Sequence, residues 1–104
     1  MAIEVVDNTE QSRYEVFLDG ARVGTADYRR EGFTVVLPHT LVDPNMRGRG
    51  LAALLIQRAL DDARAAGCFV VPKCWYVAEF IESHPEFADL VAPPSVGGLQ
   101  SPVL

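Results

Sequence analysis

The repeat of apolar residues changes its period at Asp43-Pro44, so the chain on either side of this point has to fold differently. Before it, apolar and polar residues alternate in short runs, which predicts β-strands. After it, residues 51–66 repeat with a helical period that places apolar side chains on one stripe. That stripe consists of Ala52, Leu55, Ile56, Ala59, Leu60, Ala63 and Ala66. The sequence therefore predicts a sheet with helices packed on it.

The first half is predicted to be an antiparallel meander of at least three strands. Asp19-Gly20 is a strong signal for a two-residue hairpin between the runs 13–18 and 21–28. A third run covers residues 33–42 and is interrupted by Pro38. Because proline has no N–H to donate to a neighbouring strand, we expect a bulge or an unpaired edge at this residue.

The second half is predicted to add one strand and a second helix. Gly67 suits the left-handed position that ends a helix, and the wholly apolar run 68–71 is typical of a buried strand. Strand, helix and strand in this order favour a parallel crossover. Residues 73–83 show a shorter helical pattern that ends at His84-Pro85. The predicted fold class is thus α+β, a compact sandwich with a largely antiparallel sheet and two main helices.

Composition narrows the class of protein further. An apolar share of 49% in 104 residues is enough for one packed core, and no apolar run approaches the roughly 18 residues that cross a bilayer. The domain is expected to span residues 1–91, because 92–104 are rich in proline and glycine without periodicity. The N-terminus lacks the pattern of a secretion signal, so we expect a cytoplasmic protein. A net charge of −5 argues against non-specific binding to nucleic acid.

The entry into the long helix has the wrong charges for an ordinary helix start. Acidic residues usually occupy the first turn, where they offset the positive end of the helix dipole. Here Asn45-Met46-Arg47-Gly48-Arg49-Gly50-Leu51 supplies two arginines, two glycines and no acid. A bound phosphate or pyrophosphate would relieve this arrangement, whereas the alternative is a glycine-rich turn with solvated arginines. Neither a Walker A nor a full Rossmann motif is present, which disfavours ATP and NAD.

The loop Arg47-Gly48-Arg49-Gly50-Leu51-Ala52 resembles the acetyl-CoA pyrophosphate loop of the GNAT acetyltransferase superfamily. That pattern is Gln/Arg-x-x-Gly-x-Gly/Ala, and here Asn45 stands in the first position. Further motifs resemble the small single-domain GNAT-like acetyltransferases, which include the YjdJ-type bacterial proteins. They are His39-Thr40-x-Val42, Pro72-x-Cys74-Trp75-Tyr76-Val77, Phe80-Ile81 and His84-Pro85-Glu86-Phe87.

The resemblance implies acetyl-CoA as the cofactor. Its pyrophosphate would lie on the backbone of the glycine-rich loop, and its pantetheine would pair with the preceding strand like an additional strand. The cofactor-binding residues implied in this way are Thr40, Leu41, Val42, Asn45, Met46, Arg47, Gly48, Arg49, Gly50 and Leu51. The thioester would then point toward His39 and Cys74.

Cys74 and His39 are the candidate catalytic residues. Cys74 begins the second helix, where the helix dipole and Lys73 favour the thiolate, but its alignment with Val77 and Ile81 equally suits a core residue. We expect His39 on the same strand face as Leu37 and Leu41, so it is either a buried structural histidine or a general base.

The remaining cysteine and the aromatic residues have simpler interpretations. Cys68 lies in an apolar run and is expected to be inert. Two cysteines cannot make a zinc site of paired Cys-x-x-Cys type, so no metal is expected. Trp75, Tyr76 and Phe80 either wall the pantetheine channel or belong to the core.

The leading hypothesis is an acetyl-CoA-dependent N-acyltransferase that acts on an amine of a small molecule or a protein. One alternative is a module that binds CoA or acyl-CoA without turnover. Another is a protein-binding domain in which Arg47 and Arg49 contact an acidic surface.

Overall fold

The computed structural model describes residues 2–92, which form one five-stranded sheet and two α-helices. The strands are β1 (Ile3–Asn8), β2 (Arg13–Leu18), β3 (Ala21–Glu31), β4 (Thr34–Val42) and β5 (Phe69–Val71). The helices are α1 (Leu51–Ala65) and α2 (Trp75–Ser83), and short 3-10 helices cover Pro44–Met46 and Pro85–Leu90. The α+β class with two main helices is confirmed. Of the predicted tail, 92–104, only Ala92 lies within the described residues.

The strands follow one another across the sheet in chain order. The first four are antiparallel, and β4 pairs with β5 in parallel after the crossover through α1, as predicted. The hairpin at Asp19-Gly20 is confirmed, with both residues at positive φ as a type I′ turn requires. The strand β1 is not predicted by the sequence pattern, because Val5 and Val6 interrupt the alternation that its first residues begin.

The core lies between one face of the sheet and α1. The helix buries Leu51, Leu55, Ile56, Ala59, Leu60 and Ala63. Two residues of the predicted stripe differ: Ala66 is exposed because it caps the helix, and Ala52 is half-buried in the first turn. Among residues 2–92, no helix combines the length and the apolar character that a membrane span requires.

The second helix starts two residues later than predicted. Cys74 has an extended backbone and serves as the N-cap of α2, and its N–H donates to the Leu37 carbonyl at 3.0 Å. The start of α2 is therefore tied to β4. The helix ends at Ser83, before His84-Pro85, as the sequence predicts.

A bulge at Pro38 divides β4 into two parts. The register with β3 shifts between Asp27 and Arg29, so that one more residue of β4 fits between the flanking pairs, and the predicted bulge is confirmed. A one-residue shift moves every following side chain to the other face. His39 is accordingly exposed while Leu37 is buried, so the prediction that they share a face is wrong.

Glu15 joins the first three strands on the face of the sheet opposite the core. It is 6% exposed, and its Oε2 accepts hydrogen bonds from Arg13 Nε at 2.9 Å, Arg22 at 3.2 Å and Asn8 at 3.3 Å. The hydrogen bond from Arg13 is the main cause that holds the pKa of Glu15 below its ordinary value. The ion cluster therefore stabilises the folded state only while this carboxyl is ionised.

Glu15→Gln is expected to lower the free energy of unfolding at pH 7 by about 1.5–3 kcal/mol, the size of a hydrogen bond to a charged group. Because the folded-state pKa of Glu15 is lowered, its contribution is complete above the ordinary value of 4.5 and is lost as the pH falls through the lowered pKa. Urea unfolding of wild type and variant between pH 7 and about pH 3 should show the difference shrinking.

Glu31→Gln is the matched control, because Glu31 pairs with Arg29 where both side chains are more than half exposed. It should change stability little at any of these pH values. A Glu15→Gln difference that stays constant with pH would contradict the assignment.

Candidate functional site

A cleft lies where the end of β4, the start of α1 and the start of α2 meet. It has two adjoining parts, of ≈ 440 Å³ and ≈ 240 Å³, which share Val42, Arg47, Ala52 and Tyr76. The larger, strand part is also lined by Thr40, Leu41, Cys74 and Trp75. The smaller, loop part is also lined by Met46, Gly48, Gly50 and Leu51.

The cleft opens because β4 continues past the end of β5. The parallel pairing stops at Val36 and Val71, after which the chain turns away into α2. Asp43 N–H donates to Val23 of β3 at 2.7 Å, and the alternation along a strand then directs the backbone groups of Thr40 and Val42 to the opposite side. Within residues 2–92 no strand pairs with this edge of β4 after Val36. A ligand with amide groups can therefore pair with it.

The loop before α1 has the geometry of an anion site. Gly48 and Gly50 have φ values of 82° and 75°, and a Cβ at either would meet nothing within 4 Å, so the backbone conformation itself requires glycine. Gly50 is the N-cap of α1, and no side chain caps the helix or places an acid in its first turn. The free N–H groups of that turn and the exposed Arg47 are available to a polyanion.

Most of the predicted cofactor-binding residues come together in this cleft. Eight of them line it: Thr40, Leu41, Val42, Met46, Arg47, Gly48, Gly50 and Leu51. Asn45 and Arg49 are exposed beside the loop and do not line it. The Asn45 N–H instead donates to the Asp43 carboxylate at 3.0 Å, which caps the short helix at Pro44–Met46.

Of the two predicted catalytic residues, only Cys74 lines the cleft. It is half-buried at the N-terminus of α2, beside Trp75 and Tyr76. His39 points to the other face of the sheet, where it is exposed, so the prediction of a buried structural histidine is wrong. Cys68 is 4% exposed in the core, which fits the expectation that it is inert.

The three aromatic residues of α2 lie in different environments, which their helical spacing alone does not distinguish. Trp75 is 72% exposed at the rim, Tyr76 lines both parts of the cleft, and Phe80 is buried in the core. Burial raises the pKa of the Tyr76 phenol, with a further contribution from Glu79, so this hydroxyl is a neutral donor at pH 7. Ala52 is a lining residue that sequence reasoning assigned to the core stripe, and only its place in the first turn of the helix indicates otherwise.

Comparison with known proteins gives a consistent fold. Residues 13–90 match a family model described as GCN5-related N-acetyl-transferase. A solution structure of a GCN5-like candidate N-acetyltransferase from Staphylococcus aureus superposes with a TM-score of 0.68 at 15% identity, covering 86% of this chain and 87% of that one. No curated protein sequence matches the chain significantly.

Two larger enzymes share the fold over part of their length. The ribosomal-protein-S18-alanine N-acetyltransferase from Escherichia coli gives a TM-score of 0.59 at 18% identity, over 68% of this chain and 49% of that one. The N-acetylglutamate synthase from Neisseria gonorrhoeae, complexed with coenzyme A and N-acetyl-glutamate, gives a TM-score of 0.52 at 19% identity, over 57% of this chain and 15% of that one.

The two cysteines are expected to differ in alkylation. Cys74 should react with iodoacetamide before Cys68, because Cys74 lines an open cleft and Cys68 is enclosed by the core. Mass spectrometry of the peptides at increasing times measures both rates in one sample. The variants Cys74→Ala and Cys68→Ala serve as controls for assignment, and equal rates in the folded wild type would contradict this placement.

Proposed function

Because the chain belongs to the GCN5-related N-acetyltransferases, we propose that it transfers an acetyl group from acetyl-CoA to an amine. One observation carries the proposal: a single cleft joins an anion-suited helix start to a free strand edge and ends at Cys74. CoA has a pyrophosphate, a chain of amides and a thiol in the same order.

Location in the cytoplasm and membership of the YjdJ-type subgroup are further predictions from the sequence.

The residues of the cleft fit this cofactor. The pyrophosphate would accept hydrogen bonds from N–H groups at Gly48 to Leu51, and Arg47 would offset its charge. The pantetheine amides would pair with the backbone of Thr40 and Val42, in the manner of an added strand. Bound there, acetyl-CoA supplies an acetyl group that leaves sulfur for nitrogen, as a C–N bond forms, a C–S bond breaks and the amine loses a proton.

Cys74 is the one cysteine that lines the cleft, and we assign it as the chain's own acetyl acceptor. Its thiol would take the acetyl group as the C–S bond to CoA breaks, and its proton would go to the departing CoA sulfur. The amine would then attack the Cys74 thioester, and the proton that the amine loses would return to the Cys74 sulfur. Tyr76 lines the same part of the cleft, and its neutral phenol would be available to donate a hydrogen bond. The position of His39 on the other face gives no support to its role as the base.

A binding module without turnover is the second candidate. It is favoured by the lining itself, because among the described residues neither a carboxylate nor an imidazole faces the cleft. An amine acceptor would then have no base other than Cys74. Turnover therefore decides between the two candidates.

The acceptor amine is proposed to come from the open side of the cleft. Leu41 and Trp75 are 66% and 72% exposed at its rim, and no further wall closes the strand part among the described residues. A rim of this kind suits a protein amine or a small molecule held by a second protein. The Escherichia coli neighbour acts on a ribosomal protein, which is one precedent for a protein acceptor on this fold.

Acetyl-CoA is expected to raise the melting temperature of the protein. A ligand at a hundredfold excess over its Kd stabilises the folded state by about 2.7 kcal/mol, and each kcal/mol shifts the midpoint of a domain this small by about 4–8 °C. The shift should therefore be on the order of 10 °C or more, and NAD should produce nothing comparable. Absence of a shift with acetyl-CoA, CoA and longer acyl-CoAs would refute the proposal.

Arg47→Gln/Arg49→Gln should weaken CoA binding and flatten its dependence on salt, because two positive charges leave the anion site. Each lost contact is expected to cost at most about 1.5–3 kcal/mol, and less where it is exposed. Calorimetric titration at two salt concentrations measures both effects. The matched control is Arg29→Gln/Arg30→Gln, which removes the same charge from β3, outside the cleft lining.

Cys74→Ala should abolish turnover while acetyl-CoA still binds. Intact-mass measurement of the wild type with acetyl-CoA and no amine should show one added acetyl group, which Cys68→Ala retains and Cys74→Ala lacks. Full turnover by Cys74→Ala would instead indicate direct attack by the amine. Binding without CoA release, with pooled amines and lysine peptides supplied, would favour the non-catalytic module.

A further inference from the structure

The Thr40 hydroxyl oxygen is buried, and no residue in the range 2–92 forms a hydrogen bond with it. Thr40 lines the strand part of the cleft, on the same side of the molecule as Cys74. Nearly all buried polar side-chain atoms in folded proteins have a partner, since an unpaired hydroxyl has lost its hydrogen bonds to water. The missing partner is therefore expected to come from a group that enters the cleft.

The bulge at Pro38 determines that a threonine stands at this point. After the register shift Thr40 and Val42 are half-buried and line the cleft, whereas His39 and Leu41 are exposed, with Leu41 at the rim of the cleft. Without the extra residue, an imidazole would take the place of the hydroxyl. Four other side chains that line the strand part carry polar atoms, and none of them forms a hydrogen bond with the Thr40 hydroxyl: Arg47, Cys74, Trp75 and Tyr76.

The position along the cleft indicates which ligand group meets this hydroxyl. This step rests on the proposed function. The anion loop at Gly48 and Gly50 adjoins Val42, and Thr40 lies two residues further along β4, about 6.6 Å away at a strand rise of ~3.3 Å. Thr40 and Cys74 line only the strand part of the cleft, so on the proposed function they would lie beyond the phosphates, near the acyl group.

We propose that Thr40 Oγ1 donates a hydrogen bond to the acyl carbonyl oxygen of acyl-CoA, so that the cleft distinguishes acyl-CoA from free CoA. The backbone N–H and C=O of Thr40 remain available to the pantetheine amides, so the side chain adds a contact that CoA alone cannot make. A donor fixed at this oxygen also becomes stronger as negative charge develops there, which assists transfer as well as binding.

Three ligands isolate this contact: acetyl-CoA, CoA and S-ethyl-CoA, a thioether that has the same two carbons but no carbonyl oxygen. Thr40→Val keeps the shape of the side chain and removes the hydroxyl, whereas Thr40→Ser keeps the hydroxyl. Thr40→Val should lower the affinity for acetyl-CoA about three- to tenfold, the range of a neutral hydrogen bond, and leave the affinities for CoA and S-ethyl-CoA unchanged. Thr40→Ser should retain the preference for acetyl-CoA.

The chain offers its own probe and its own control. Trp75 is the one tryptophan of the sequence and lines the cleft, so its fluorescence can follow each titration. Thr25→Val makes the same chemical change on β3, at a position paired with Leu41 and outside the cleft lining, and should alter none of the three affinities. The ligand-free melting temperature of Thr40→Val should equal or exceed that of the wild type, because no hydrogen bond within the fold is lost.

The outcomes separate this inference from the proposed function. A wild type that binds none of the three ligands would refute the proposed function and this inference with it. If the wild type binds acetyl-CoA and Thr40→Val binds it equally well, the inference alone would be overturned. The same holds if Thr40→Val lowers the affinity for all three ligands equally. A lower melting temperature for ligand-free Thr40→Val would also overturn it, because it would show a structural role for the hydroxyl.

Discussion

The missing N–H of Pro38 is the constraint on which the candidate site depends. A strand that cannot complete its ladder at one residue accommodates an extra one, and the register of β4 against β3 shifts accordingly. That shift directs Thr40 and Val42 inward at the point where β5 has already ended. The bulge therefore determines which side chain is buried at this point, and the early end of β5 leaves the strand edge free and the cleft open.

The loop part of the site carries free N–H groups and positive charge that find no partner within the described residues. The start of α1 has free N–H groups and no acid in its first turn, and Arg47 adds positive charge beside it. Gly48 and Gly50 hold the backbone in conformations that other residues adopt only with strain. An anion would accept hydrogen bonds from the N–H groups and offset the positive charge. The geometry of this loop is therefore better suited to binding an anion than to stabilising the fold.

Local patterns predicted most of the fold, and the family resemblance predicted nine of the twelve residues that line the cleft. The hairpin at Asp19-Gly20 and most of the apolar stripe of α1 follow from neighbouring residues, and both are confirmed. The phosphate site at the glycine-rich loop stays a prediction. The predicted face for His39 was wrong because a bulge reverses the alternation of side chains along a strand. The register with the neighbouring strand shows this reversal, and the sequence of the strand alone does not. Ala52 was missed as a lining residue for a related reason, since the cleft exists only where β4 outlasts β5.

On the proposed function, the lining of the cleft also determines which amines could act as acceptors. With neither carboxylate nor imidazole among the described lining residues, an incoming ammonium has only Cys74 and Tyr76 near it as proton-exchanging groups. A lysine side chain, with an ordinary pKa of about 10.4, is almost entirely protonated at neutral pH, whereas an α-amine with a value near 8 is partly neutral. An acetylated Cys74 has no free thiolate to accept this proton, so on the proposed function the acceptor has to arrive as the neutral amine, which favours an α-amine over a lysine side chain.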